Sequence, residues 1–127
     1  KAGRDALALV PDAPPILNFL GYLLADHALD LAEAERLVHR ALVQDPDNGA
    51  YVDSWGWVLY RLGRLDEARV ALERAVELTG GDPVVHEHLG DVYAALKLVE
   101  PARKQYRASL AADSPNPRVR SKLEALR

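Results

Sequence analysis

Apolar side chains recur along the middle of the chain at helical spacing. Val52, Trp55, Gly56 and Leu59 stand at i, i+3, i+4 and i+7, one stripe of a helix. Gly63 and Arg64 interrupt the stripe. Asp66 can start a second helix, in which Ala68, Leu72, Ala75 and Val76 keep the same spacing. Thr79-Gly80-Gly81-Asp82-Pro83 then closes it, glycine favouring a helix stop and proline the first turn of the next helix. The predicted unit is two helices joined by a short turn.

That unit repeats. Shifted by 34 residues, the chain overlays itself: Ala34, Ala68 and Ala102 coincide, as do Gly56 with Gly90, Trp55 with Leu89, and Leu65 with Val99. Val38, Leu72 and Tyr106 form another apolar set, and Ala41, Ala75 and Ser109 a set of small residues. An interval of this size is the mark of stacked supersecondary units.

These residues resemble the tetratricopeptide repeat, whose pattern is W-x2-L-G-x2-Y, then A-x3-F, then P. The first unit presents Leu17, Leu20, Gly21 and Leu24, then Ala34, Val38, Ala41 and Pro46. The second presents Val52, Trp55, Gly56 and Leu59, then Ala68, Leu72 and Ala75; the third His86, Leu89, Gly90 and Tyr93, then Ala102, Tyr106 and Ser109. The first unit needs one extra residue within Asp26-His27-Ala28-Leu29-Asp30, and Gly80 and Ser114 replace the terminal proline.

The resemblance implies an all-α fold, a right-handed α–α superhelix (solenoid) of three helix pairs. The expected division of the single domain 1–127 is 14–47, 48–82 and 83–116, closed by a capping helix over 117–127. In that helix Val119, Leu123 and Leu126 share a face, with Arg118, Arg120, Lys122 and Arg127 around them. Ala6 and Pro11 fall where an earlier unit's small residue and proline would stand. Residues 2–10 therefore read as the end of a truncated upstream repeat, and the chain as a fragment of a larger protein. Gly21, Gly56 and Gly90 are expected to face Ala34, Ala68 and Ala102, letting the paired backbones approach closely.

In the family the first helix of each pair lines a concave groove. At 100° per residue, the positions opposite the core stripe are the candidate groove residues. They are Asn18, Tyr22, Ala25 and Asp26 in the first unit, and Ala50, Asp53, Trp57, Tyr60 and Arg61 in the second. The third supplies Val84, Glu87, Asp91, Ala94 and Ala95. Aromatic bodies with polar tips provide contact area at low ordering cost. The four acids among them favour a protein or peptide partner bearing Lys, Arg or a free amine beside apolar anchors. The plainer alternative for Tyr22, Trp57 and Tyr60 is packing between adjacent units. Some family members capture a C-terminal carboxylate with a clamp of Lys, Asn and Arg. The corresponding places here hold Asn18, Tyr22, Ser54, Val84 and His88, of which His88 alone becomes cationic, so carboxylate capture is not expected.

Charge refines the picture. The 127 residues carry a formal net charge of −3. Residues 1–96 hold 8 Lys/Arg against 16 Asp/Glu, and residues 97–127 hold 8 against 3. The acidic body argues against nucleic acid as a partner. The basic tail reads as a solvated helix surface or, alternatively, as a site for an acidic partner. No apolar run approaches the roughly 18 residues of a membrane span. Cysteine is absent, which removes disulfides and thiol chemistry.

Catalytic patterns are missing too: there is no G-x-S-x-G, no phosphate-cradling loop and no H-E-x-x-H. His86 and His88 project about 200° apart on a helix and do not share an ion, so neither a metal nor a cofactor is expected. The expectation is a protein-binding scaffold without enzyme activity. Alternatives are a self-associating module, dimerising through an exposed terminal edge, and a regulatory segment of a larger enzyme. Abundant Arg and Ala suit a GC-rich bacterial source. The stretches Leu20-Gly21-Tyr22-Leu23-Leu24-Ala25-Asp26 and Asp53-Ser54-Trp55-Gly56-Trp57-Val58-Leu59-Tyr60-Arg61-Leu62-Gly63 resemble the C-terminal repeats of bacterial envelope tetratricopeptide proteins, which implies the periplasm or outer membrane as location.

Overall fold

The computed structural model describes residues 13–113 and 115–126; the expected upstream remnant at 2–10 lies outside them. The described residues form seven helices and no strand: α1 Pro14–Asp26, α2 Leu31–Gln44, α3 Gly49–Arg61, α4 Leu65–Thr79, α5 Pro83–Ala95, α6 Val99–Ala112 and α7 Pro117–Ala125. Each helix packs on the next in sequence, and the first helices α1, α3 and α5 also touch in succession. The result is a solenoid of antiparallel pairs.

Local chemistry sets the helix ends. The side chains of Asn48, Asp82 and Asn116 accept hydrogen bonds from first-turn amides of α3, α5 and α7. Proline occupies the first turn of α1, α5 and α7, where a missing N–H costs nothing. The second helix of the middle pair begins one residue before Asp66: Arg64 is its N-cap, with no capping bond from its side chain, and Asp66 and Glu67 lie in the first turn. Negative charge is favoured there.

Within each pair one turn recurs. The amides of Leu29, Arg64 and Leu98 donate to the carbonyls of Leu24, Leu59 and Tyr93 at 2.8, 2.9 and 2.9 Å. The preceding residue is left-handed each time: Ala28 at φ 53°, Gly63 at 82° and Lys97 at 65°. In register, the extra residue of the first pair is therefore Asp30. It too is left-handed, and its carboxylate caps α2 through the Glu33 amide at 3.2 Å.

The glycines stand at the helix crossings; the expected alanine lies close only at Gly21 among the nearest contacts, and in each pair a larger side chain is nearer. A Cβ at Gly56 would lie 2.6 Å from Leu72 Cγ, and one at Gly90 2.6 Å from Tyr106 Cε1. At Gly21 it would meet Val38 Cγ2 at 2.5 Å and the Ala34 carbonyl at 3.2 Å. The large apolar residue four positions after each alanine fills the space over the glycine. Ala34, Ala68 and Ala102 are themselves fully buried.

The core runs unbroken along the stack. Ala34, Val38, Trp57 and Val58 join the first pair to the second; Leu59, Leu72, Leu89 and Val92 join the second to the third. Ala102, Tyr106 and Val119 join the third to α7, with Leu123 and Leu126 partly buried beside them. The tail is thus a packed cap with an apolar inner face.

Candidate functional site

The first helices and the cap enclose one cavity of about 380 Å³. Its lining comes from α1 (Tyr22, Asp26), α3 (Trp57), α5 (Val84, Glu87, His88, Asp91) and α7 (Arg118, Lys122). No second helix of a pair contributes. The cavity therefore lies on the face formed by the first helices.

An aromatic stack makes its floor. The Trp57 and His88 rings lie 4.0 Å apart, centroid to centroid, with 20° between their planes. Tyr60 stacks on Trp57 at 4.8 Å, and Tyr22 meets His88 tilted, at 6.1 Å. Trp57 is only 7% exposed. Its indole N–H donates to Asp26 Oδ1 at 3.3 Å. Trp57 is thus a floor held between units, whereas Tyr22 and Tyr60 are half-buried. No residue among those described bonds to the Tyr22 hydroxyl. Burial, followed by the nearby charges of Asp26, Asp53 and Glu87, pushes that phenol up to about 12.

The carboxylates are tied from one unit to the next. Asp53, 9% exposed, faces His88 Nδ1 across 2.9 Å. Glu87, 5% exposed, accepts two hydrogen bonds from the Arg118 guanidinium and one from Lys122 Nζ, all at 2.7 Å. Lys122 Nζ also donates to Asp91 Oδ2 at 3.0 Å, and the Tyr106 hydroxyl donates to Asp91 Oδ1 at 2.6 Å. Burial alone would raise the Glu87 pKa. The hydrogen bonds and charges of Arg118 and Lys122 reverse that and hold it at about 2.

The remaining candidates stand at the edge. Asp26 and Arg61 are exposed, and Arg61 Nε donates to the Ala25 carbonyl at the end of α1, at 3.0 Å. Its guanidinium lies 5.9 Å from the centre of the Trp57 ring. Asn18 is half-buried, and its Oδ1 has no hydrogen-bond partner among the described residues. The structure brings Tyr22, Asp26, Trp57, Glu87 and Asp91 to one cavity. Asp53 lies behind His88, and Tyr60 and Arg61 behind Trp57.

Sequence reasoning left three cavity residues out of the groove: His88, Arg118 and Lys122. The signal was present, since Arg118 and Lys122 follow Val84 and His88 by 34 residues. Reading the tail as a cap, its basic residues a solvated surface or a site for an acidic partner, hid it. His86 and His88 engage different helices, His86 Nδ1 meeting Gln105 Oε1 at 2.7 Å while His88 turns to Asp53.

A family model described as "Tetratricopeptide repeat" matches residues 24–83 and 54–117. A TPR repeat-containing protein of Pseudomonas aeruginosa is 40% identical over 88 residues, covering 69% of this chain. The chain spans 15% of that relative's length. The first TPR of Spaghetti (RPAP3), solved bound to the HSP90 peptide SRMEEVD, superposes with a TM-score of 0.80 at 20% identity, covering 89% of each chain. A Thermobaculum terrenum O-GlcNAc transferase mutant superposes at 0.77 with 26% identity, over 89% of this chain and 22% of that one.

Proposed function

The chain belongs to the tetratricopeptide repeat family, a right-handed α–α superhelix that serves as a protein–protein interaction module, and we propose that it is a non-enzymatic scaffold holding a partner segment on the face of its first helices. The units would be 14–47, 48–82 and 83–116 with 117–127 as cap, one domain. The carrying observation is the cavity of about 380 Å³ floored by Trp57 and His88 and walled by Tyr22, Asp26, Glu87 and Asp91. The half-buried Tyr22 ring at the wall supplies contact area at low entropic cost, with the buried Trp57 and His88 rings holding the floor in place. A neighbour in fold binds a peptide, which supports a peptide-like occupant.

The partner chemistry follows from the walls. Asp26 is exposed, and Glu87 and Asp91 already hold cations, so the face suits Lys or Arg side chains beside an apolar anchor. The groove set remains Asn18, Tyr22, Asp26, Asp53, Trp57, Tyr60, Arg61, Glu87 and Asp91, with Tyr22 and Asp26 the members best placed to touch a ligand. The test is calorimetric titration with a capped peptide of alternating arginine and leucine. Tyr22→Ala and Asp26→Asn should each weaken it several-fold, and added salt should weaken it further. Binding indifferent to both substitutions would overturn the reading.

One observation favours self-association as a second reading. Ile16, Phe19 and Leu23 lie exposed on α1 with the i, i+3, i+7 spacing of a single stripe. A concentration-dependent dimer in light scattering, abolished by Phe19→Ser, would support it. The likeness to a stretch of an O-GlcNAc transferase supports the third possibility, repeats serving a larger enzyme.

A further inference from the structure

We infer that α7 is a resident competitor for the groove: Arg118 occupies, on Glu87, the place that a cation of a partner would take. This rests on the groove reading above and adds its regulation.

Glu87 and Asp91 stand four residues apart on α5, one helical turn, and they face the cavity. Arg118 and Lys122 stand four residues apart on α7 and meet them in register. The chain thus displays the chemistry its own wall accepts: a guanidinium on Glu87 beside an ammonium that bridges Glu87 and Asp91. A partner guanidinium on Glu87 takes the place of Arg118.

The two cations are held differently. The Arg118 side chain is 61% exposed although both of its bonds run to a buried carboxylate. Its guanidinium leaves Glu87 by side-chain rotation alone, with α7 still seated through Val119. Lys122 bridges both acids and stays. It prevents Glu87 from being stranded as an unpaired buried charge, the costly alternative. Arg118 is therefore the gate and Lys122 the stay. A ligand cation finds Glu87 open only in the fraction of molecules whose Arg118 has swung out, and its apparent affinity falls by that fraction.

Removing the gate should raise affinity. The full chain, Arg118→Ala, and Arg118→Ala with Glu87→Gln are titrated with the capped arginine–leucine peptide, with circular dichroism as the folding control. Arg118→Ala should bind about tenfold more tightly than the parent, and the added Glu87→Gln should erase that gain. Arg118→Lys, which keeps one charge and loses the fork, should fall between. Equal or weaker binding by folded Arg118→Ala, a gain that survives Glu87→Gln, or no binding by either protein overturns the inference. The groove reading is judged separately, by whether Tyr22→Ala weakens the parent.

Discussion

The His88 imidazole lies flat against the Trp57 indole, centroids 4.0 Å apart, and joins the second unit to the third beneath the groove. With Trp57 only 7% exposed, this contact is as much core as surface. Trp57→Ala should cost about 3–5 kcal/mol in urea unfolding, the range for emptying a buried aromatic site. A loss below about 1 kcal/mol would show that the stack carries little. Partner assays are better aimed at Tyr22, because loss of binding by a Trp57 variant would confound site with fold.

Gly56 crosses α4 where a Cβ would lie 2.6 Å from Leu72 Cγ. Gly56→Leu should cost on the order of 1–3 kcal/mol or more through overpacking. Thermal melts followed at 222 nm check it. Pairing Gly56→Leu with Leu72→Ala should restore part of the loss, since the intruding side chain then has room.

The Glu87 carboxyl titrates near 4.5 when the chain is unfolded and at about 2 in the fold. Its contribution to stability is therefore full above pH 4.5 and is lost as pH falls towards 2. Glu87→Gln should flatten the acid limb of stability against pH in that window. At pH 7 it should cost about 1.5–3 kcal/mol, the scale of hydrogen bonds to charged groups. An acid limb identical to the parent's would assign that pH dependence elsewhere.

Burial, then the bond to Glu73, lifts the Tyr93 phenol to about 12; burial, then the bond to Asp91, raises that of Tyr106 as well. An unfolded chain releases these protons near pH 10 while the fold retains them, so stability declines as pH rises above 10. Tyrosinate absorbance should lag behind that of free tyrosine and rise together with loss of helix. Tyr106→Phe, which removes the bond to the Asp91 carboxylate, should cost about 1.5–3 kcal/mol at pH 7.

Fold and groove differed in how far they could be read from residue order. The pairing of helices was legible because Ala34, Ala68 and Ala102 recur at one interval, and local helical periodicity does the rest. The partner of each glycine was not: helix phase places Gly56 toward α4, but which side chain fills the gap depends on the offset between helices, and Leu72 fills it. Helical phase places Trp57 on the groove side of α3 but does not set its depth, which the neighbouring unit fixes through His88. Arg118 and Lys122 read as the polar surface of the cap, although their 34-residue offset from Val84 and His88 carries the groove phase; which carboxylates they meet depends on how α7 seats on the third pair.

The crossings at Gly21, Gly56 and Gly90 leave nothing thicker than a hydrogen atom on one side of each helix pair. Within a pair the spacing is therefore fixed by the bare backbone of the glycine. Between pairs it is fixed by the size of the buried side chains, Trp57 and Val58 at one seam and Leu89 and Val92 at the other. Polar reaches close the rims of those seams: Arg64 to Glu35, Arg74 to Asp47 and the Pro46 carbonyl, and Tyr93 to Glu73.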